Sequence, residues 1–343
     1  FLLLESNNDI SIFNSRFDTC YDHENYAHAI FANRGKISVQ NSFFNNVLSN
    51  PLSQGSIIRC ETSIFNFEGN KITFNNNSID CTCILLPNEG AFNITENEFT
   101  NFEMKQNGSV IFIEEPSDIL FNENEFKNIK GTGTSHSIYL YFNSMINKTI
   151  TGIKLKNIHS ADGFLCIRTD DEIETNFTFY KLYFYNVRQN GGGAINVDNP
   201  ENKTYILIFE ECYFDSNENI DGGSLLINQD TFPYCRGLSL IFSDMHFNSA
   251  TGRGGVLAAF IDGDINIIDC NFNLNKAEIG GGSIYIENNG QSKCNCNILE
   301  SNFNRNNGQN AYCIWVNVLS YDDDFTLQIN CNFANNNDEK SGS

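Results

Sequence analysis

The segment Gly281-Gly282-Ser283-Ile284-Tyr285-Ile286 has relatives throughout the chain, and their spacing decides the fold. Its last four residues recur as Ala29-Ile30-Phe31-Ala32, Ser137-Ile138-Tyr139-Leu140 and Cys313-Ile314-Trp315-Val316. The first position is Ala, Ser, Cys or Val, and the second is always Ile or Leu. The second position runs through Ile30, Ile57, Ile84, Ile111, Ile138, Ile167, Ile195, Leu225, Leu257, Ile284 and Ile314, at intervals of 27 to 32 residues. A fixed period of this size marks a repeat architecture. Each copy is a short apolar, β-branched run and reads as a strand.

A second column has the same period: Phe17, Phe44, Phe74, Phe99, Phe126, Phe184, Phe214, Phe247, Phe272, Phe303 and Phe333, with Ile158 where one Phe is due. Asn follows two or three residues later, as Asn46, Asn76, Asn101, Asn128, Asn186, Asn217, Asn275, Asn306 and Asn336. Identical residues in successive repeats meet only if the repeats stack as parallel strands about 4.8 Å apart. Crossovers between parallel strands are right-handed in nearly all cases. The expected fold is therefore an all-β, right-handed parallel β-helix of about 11 coils with about 28 residues each, a rod roughly 50 Å long on that spacing. A β-sandwich does not repeat one residue type at one phase. Five Pro and the lack of a Ser/Gly linker argue for one domain over 1–343.

Phe1-Leu2-Leu3-Leu4 reads as the strand of an earlier coil, ahead of the tail of a signal peptide. Neither end resembles the polar cap a solenoid needs. The expectation is a fragment, a processed form, or a unit that joins its own copies end to end.

The net charge of −21 disfavours nucleic acid and anionic membranes as partners. No run is long enough for a membrane-spanning helix. The chain holds 12 Cys. Cys83, Cys166 and Cys313 occupy the small-residue column, and Cys212, Cys270 and Cys331 stand two residues before the column Phe. These six read as buried, reduced residues. Cys20, Cys60, Cys81, Cys235, Cys294 and Cys296 look available for disulfides. Cys81-Thr82-Cys83 and Cys294-Asn295-Cys296 have half the spacing of a zinc site, and the scattered His residues complete neither, so no metal or other cofactor is expected. Sequons at Asn76, Asn93, Asn107, Asn147, Asn176 and Asn202 point to a glycosylating secretory pathway and an extracellular or cell-surface location. Asn107, Asn147 and Asn202 fall just outside expected strands, where a glycan can project.

Gly runs precede the Ile column at 191–193, 222–223, 254–255 and 280–282. They suit a tight bend with φ > 0 or close approach of a neighbouring coil. No Gly-Lys-Ser/Thr follows them, which argues against a nucleotide loop.

Gly192-Gly193-Ala194-Ile195, Gly222-Gly223-Ser224-Leu225 and Gly281-Gly282-Ser283-Ile284 resemble the Gly-Gly-Ala-(Ile/Leu/Val) motif of polymorphic outer membrane proteins. The partner motif there, Phe-x-x-Asn, is matched by Phe43/Asn46, Phe67/Asn70, Phe121/Asn124, Phe214/Asn217, Phe272/Asn275, Phe303/Asn306 and Phe333/Asn336. The resemblance is best over 191–317. Such repeats occur in chlamydial surface adhesins and in proteins of parasitic protists such as trichomonads, and the sequons, Cys and Asn content look more like the protist set. The resemblance implies a surface or secreted right-handed β-helix with a role in adhesion; its motifs specify fold better than function.

Three functions fit these features. A non-enzymatic adhesion or structural-filament protein would touch a host-cell or matrix glycan or protein, or its own copies, through exposed aromatics; Tyr139, Tyr141, Tyr285 and Trp315 alternate with the inward Ile and are the candidates. The alternative is a polysaccharide lyase or glycoside hydrolase of the pectin lyase-like fold, which needs paired carboxyl groups. Its candidates are Asp162, Arg168, Asp170 and Asp171, near Lys154, Lys156 and His159 in the most charged coil. A calcium-stabilised solenoid would use oxygens such as those of Asp322-Asp323-Asp324. The first is the preferred reading.

Overall fold

Runs in which apolar and polar residues alternate favour strands with one buried face. In Ile64–Glu68, Phe65 and Phe67 are fully buried, while Asn66 and Glu68 stay partly open. The computed structural model describes residues 2–4, 9–18, 27–33, 35–45, 56–61, 64–73, 78–79, 83–87, 90–104, 110–114, 116–131, 138–142, 148–160, 165–169, 175–189, 195–198, 205–227, 235–261, 263–288, 294–318 and 325–336. Among them are strands and no helix, arranged as a parallel β-solenoid with about 28 residues per turn. Two compact units are distinguished: Phe1–Met145 with Thr151–Asp170, and Ile146–Ile150 with Asp171–Ser343.

In the first unit the aliphatic column runs through seven parallel strands: Leu2–Leu4, Ala27–Ala32, Ser56–Cys60, Ile84–Leu86, Ile111–Glu114, Ile138–Phe142 and Leu165–Thr169. Leu2 pairs with Ile30, so the first apolar run is indeed the strand of an earlier turn. Two further parallel sheets complete each turn. One holds strands such as Lys36–Gln40, Ile64–Glu68 and Gly90–Thr95; the other holds the Phe strands, such as Phe43–Asn45 and Glu98–Thr100. In the second unit Leu225–Ile227, Leu257–Phe260, Ile284–Asn288 and Ile314–Val318 carry the aliphatic column. The Phe strands there stack Phe184, Phe214, Met245, Phe272, Phe303 and Phe333 in register. The rings of Phe272 and Phe303 lie face to face with centroids 4.6 Å apart, whereas Phe184 and Phe214 meet edge to face at 5.2 Å.

The registers correct several expected column positions. Ile58, not Ile57, pairs with Ile30 and Ile84. Ile72, not Phe74, and Leu155, not Ile158, hold the Phe column, and Ile158 pairs with Ile129. Leu165 aligns with Ile138, which moves Cys166 opposite Tyr139 and out of the small-residue column. Met245 replaces Phe247. The reason is visible at Phe247. It has φ +52° and is 56% exposed, because it is the single left-handed residue that turns one strand into the next. Ser216, Leu274 and Arg305 hold the same corner in other turns, also with positive φ.

Each such corner is followed by a buried polar ladder. In the second unit Asn217, Asn248, Asn275, Asn306 and Asn336 are stacked: each Oδ1 accepts the backbone N–H of the residue one turn earlier, starting from Val187, at 2.8–3.1 Å. Each Nδ2 donates to a carbonyl of the preceding turn, Phe214 O for Asn248 and Phe272 O for Asn306. In the first unit the ladder stands at the corner before the Phe strand, through Ser42, Asn70, Asn97 and Asn124. In the second unit that earlier corner carries Cys212, Ser243, Cys270, Ser301 and Cys331, with Cys212 N–H donating to Ser243 Oγ and Cys270 N–H to Ser301 Oγ. Asn101, Asn128 and Asn186, expected in an Asn-rich bend after the Phe strand, are left-handed bend residues and stand outside the ladder. Asn46 and Asn76 lie outside the described residues.

Among the described residues Cys60, Cys212, Cys235, Cys270, Cys296, Cys313 and Cys331 are free thiols. Cys60, Cys235, Cys294 and Cys296, expected to be available for disulfides, are buried. Stacked residues on adjacent turns are about 4.8 Å apart, within disulfide range. The corner column avoids this by alternating Cys with Ser, which leaves its cysteines two turns apart.

Candidate functional site

The outward side of the second unit's aliphatic sheet departs from the usual polar cover. Alternation aligns Leu226, Ala258, Tyr285 and Trp315 in one column, and Phe260, Glu287 and Asn317 in the next. Leu226, Ala258 and Tyr285 are buried there, with Phe260 and Trp315 packed against them.

Gly280 makes room for the indole. A Cβ at Gly280 would stand 2.2 Å from the Trp315 ring, so the ring lies over this glycine. Arg253 is the bridge partner of Gly280 one turn earlier. Its guanidinium carbon stands 4.8 Å from the Phe260 centroid and 5.0 Å from that of Tyr285, within the range of cation–π attraction. Its Nη2 lies 3.4 Å from Asp221 Oδ2, and its backbone N–H donates to Asp221 Oδ1 at 2.6 Å. The Tyr285 hydroxyl donates to Glu287 Oε2, and Asn317 Nδ2 donates to the same oxygen at 3.1 Å. Burial, then the Glu287 hydrogen bond, push the Tyr285 phenol above its ordinary value. Burial alone would lower the Arg253 value; the Tyr285 hydrogen bond and the Asp221 charge outweigh it, so the guanidinium stays charged. The chemistry offered is recognition through ring faces, a fixed carboxylate and an amide.

Of the expected contact residues, Tyr285 and Trp315 come together. Tyr285 is 4% exposed, contrary to its expected exposure, because Leu226, Ala258, Phe260 and Trp315 pack around it. Tyr139 and Tyr141 belong to the first unit, in register with Phe112 and Glu114. Arg168 sits in the Leu165–Thr169 strand opposite Tyr141. Asp162, Asp170 and Asp171 lie outside the described residues, as do Asp322, Asp323 and Asp324. Lys156 is committed to a surface ladder, 2.9 Å from Glu125, which also meets Lys127 at 2.7 Å. Asn93 and Asn176 fall within strands, each with an Oδ1 buried and without a partner among the described residues. Asn76, Asn107, Asn147 and Asn202 are not among the described residues.

Arg253, Phe260, Asp221 and Glu287 were not singled out from the sequence. The available signal was a lone cation in Gly252-Arg253-Gly254-Gly255, where the preceding repeat has Asp221 and the following one Gly280.

Comparison with protein-family models, curated proteins and solved structures finds no match.

Proposed function

We propose that the chain is a non-enzymatic cell-surface or secreted protein acting in adhesion or as an extracellular structural component, a right-handed β-helix of about eleven coils of the kind its polymorphic outer membrane protein-like motifs resemble. The observation that carries this reading is the outward layer of Phe260, Tyr285 and Trp315, locked by Arg253. Tyr and Trp offer large amphipathic contact area, and apolar patches on a surface mark interaction sites. The partner classes are a host-cell or matrix glycan or protein, or further copies of the chain. The sequons support passage through a glycosylating pathway, with Asn107, Asn147 and Asn202 as the preferred acceptors.

The test uses protein secreted from a eukaryotic host and coupled to beads. Beads that adhere to cultured cells or matrix support the reading. Absence of adhesion, together with new reducing ends or unsaturated products from a polysaccharide panel, would replace it with the polysaccharide-cleaving alternative. Loss of that cleavage in Asp162→Ala or Asp170→Ala would then assign the active site.

A further inference from the structure

We propose that Trp315, with Glu287 and Asn317 beside it, is a docking site for a cationic side chain, arginine or lysine, presented by a basic partner protein. The proposal rests on the adhesion reading and specifies its partner.

Successive turns of one column differ in the source of the cation. In one turn the cation belongs to the chain: Arg253 lies against Phe260 and Tyr285 and is paired with Asp221. One turn on, Gly280 stands at the register position of Arg253, so among the described residues that position supplies no cation. One of the two rings recurs, and a carboxylate stands at the position of the other. Trp315 follows Tyr285 in register, with ring centroids 6.0 Å apart. Glu287 follows Phe260 in register and supplies the carboxylate. Two hydrogen bonds, from Tyr285 and Asn317, both to Oε2, hold that carboxylate in place. Trp315 remains half-buried, with its inner face on Gly280. A guanidinium or ammonium on the outer face would meet the ring type that attracts cations best, next to an oriented carboxylate. The net charge of −21 favours encounter with basic proteins at long range. A neutral sugar could stack on the same ring but would gain nothing from that field.

Trp315 is the only tryptophan, so its emission reports on this site alone. The folded glycoprotein is titrated with an oligo-arginine peptide, an oligo-glutamate peptide and maltoheptaose. The expected result is a saturable emission change with oligo-arginine alone. Glu287→Gln should weaken that binding about fivefold to tenfold. Glu211→Gln, which removes the same charge from an exposed ion pair with Lys181, should leave it unchanged. Equal weakening in both variants would mean diffuse attraction and would overturn the proposal, as would unaltered emission. An emission change with maltoheptaose alone would reassign the site to sugars and likewise overturn it. Trp315→Leu, followed by calorimetry, provides a second test should Glu287→Gln fail to fold: undiminished oligo-arginine binding would count against the site. Beads carrying Glu287→Gln that adhere as well as the parent would sink this inference and leave the adhesion reading standing.

Discussion

Replacing Asn275 by alanine tests whether the internal amide ladder holds the second unit together. Asn275 is fully buried. Its Nδ2 donates to Met245 O and to Asn306 Oδ1, both at 3.0 Å. Its Oδ1 accepts from the backbone N–H of Asn248 at 3.0 Å and from Asn248 Nδ2 at 3.1 Å. Alanine abolishes all four bonds. Asn306 Oδ1 keeps the Asn275 backbone N–H, at 3.0 Å. The Met245 carbonyl and the Asn248 N–H lose side-chain partners in a place water does not reach. Leaving a buried group unsatisfied costs about 1–3 kcal/mol, so two such groups give about 2–6 kcal/mol. That exceeds the ordinary effect of a point substitution, about 1 kcal/mol. The control is Asn271→Ala. Asn271 belongs to an exposed ladder, donating to Asp244 at 2.7 Å and accepting from Asn302 at 2.9 Å, and water can replace both bonds. Its loss should stay within about 0.5 kcal/mol. Urea unfolding followed by far-ultraviolet circular dichroism and by Trp315 emission gives both values, and coincidence of the two probes checks two-state behaviour. Equal destabilisation by the two substitutions would refute the reasoning, because burial would then have no bearing on the amide's contribution.

The register of the Phe column is tested by a pair of variants: Met245→Ala should cost about 2–5 kcal/mol, while Phe247→Ser at the exposed corner should stay within about 0.5 kcal/mol in the same unfolding assay. Gly282→Ala should abolish soluble, folded protein on size-exclusion chromatography, since its Cβ would lie 2.0 Å from the Tyr312 carbonyl oxygen. In a variant with Cys20, Cys81, Cys166 and the partly exposed Cys331 changed to Ser, a thiol reagent at neutral pH should react only as fast as the protein unfolds, and dithiothreitol should leave the melting temperature unchanged. Burial pushes the Cys212, Cys270 and Cys313 thiols from 9.0 to about 12. Because the folded values are raised, this contribution is complete below pH 9.0 and is lost as pH climbs towards 12. Melting temperature should therefore fall over that window, and less steeply after Cys270→Ser.

The period and the strand character of Ile84, Ile111, Ile138 and Ile284 were legible because stacked positions repeat one residue type. Register slipped where a neighbour imitated the column residue. Ile57 and Ile58 are equally aliphatic, and a bulge between Ala27 and Ile30 decides between them. Phe247 imitates Met245 but occupies the left-handed corner, a distinction made by φ and not by side-chain type. The same substitution hides ladder members. Asn97 and Asn248 follow Ile94 and Met245, so neither carries the Phe-x-x-Asn signature, yet both accept and donate like their neighbours. The contact site was half legible. Alternation marks Tyr285 and Trp315 as outward, but Tyr285 is buried by the packing of Leu226, Ala258, Phe260 and Trp315, and Arg253 reaches its ring from another column. No pattern along one strand reports such a crossing.

The corner before the Phe strand shows what the chain actually selects there. Asn70, Asn97 and Asn124 fill it in the first unit, and Cys212, Ser243, Cys270, Ser301 and Cys331 in the second. These side chains differ in polarity but share two properties. Each is small enough for a closed corner, and each can donate to a nearby carbonyl: Asn97 Nδ2 to Phe67 O at 2.8 Å, Ser301 Oγ to Leu299 O at 2.9 Å, Cys270 Sγ to Leu240 O at 3.4 Å. Asn and Ser also accept the N–H of the preceding turn, which a thiol does poorly. A run of cysteines would therefore leave successive N–H groups unsatisfied and place thiols within bridging distance. Alternation with serine relieves both problems at every second turn. The second unit then adds an unbroken asparagine ladder at the following corner, from Asn217 to Asn336, where each residue both donates and accepts. On this argument the two corners are coupled through one strand. A turn that gives up amide bonding on one side of its Phe residue recovers it on the other, and Cys270→Asn should be tolerated where Asn275→Cys is not.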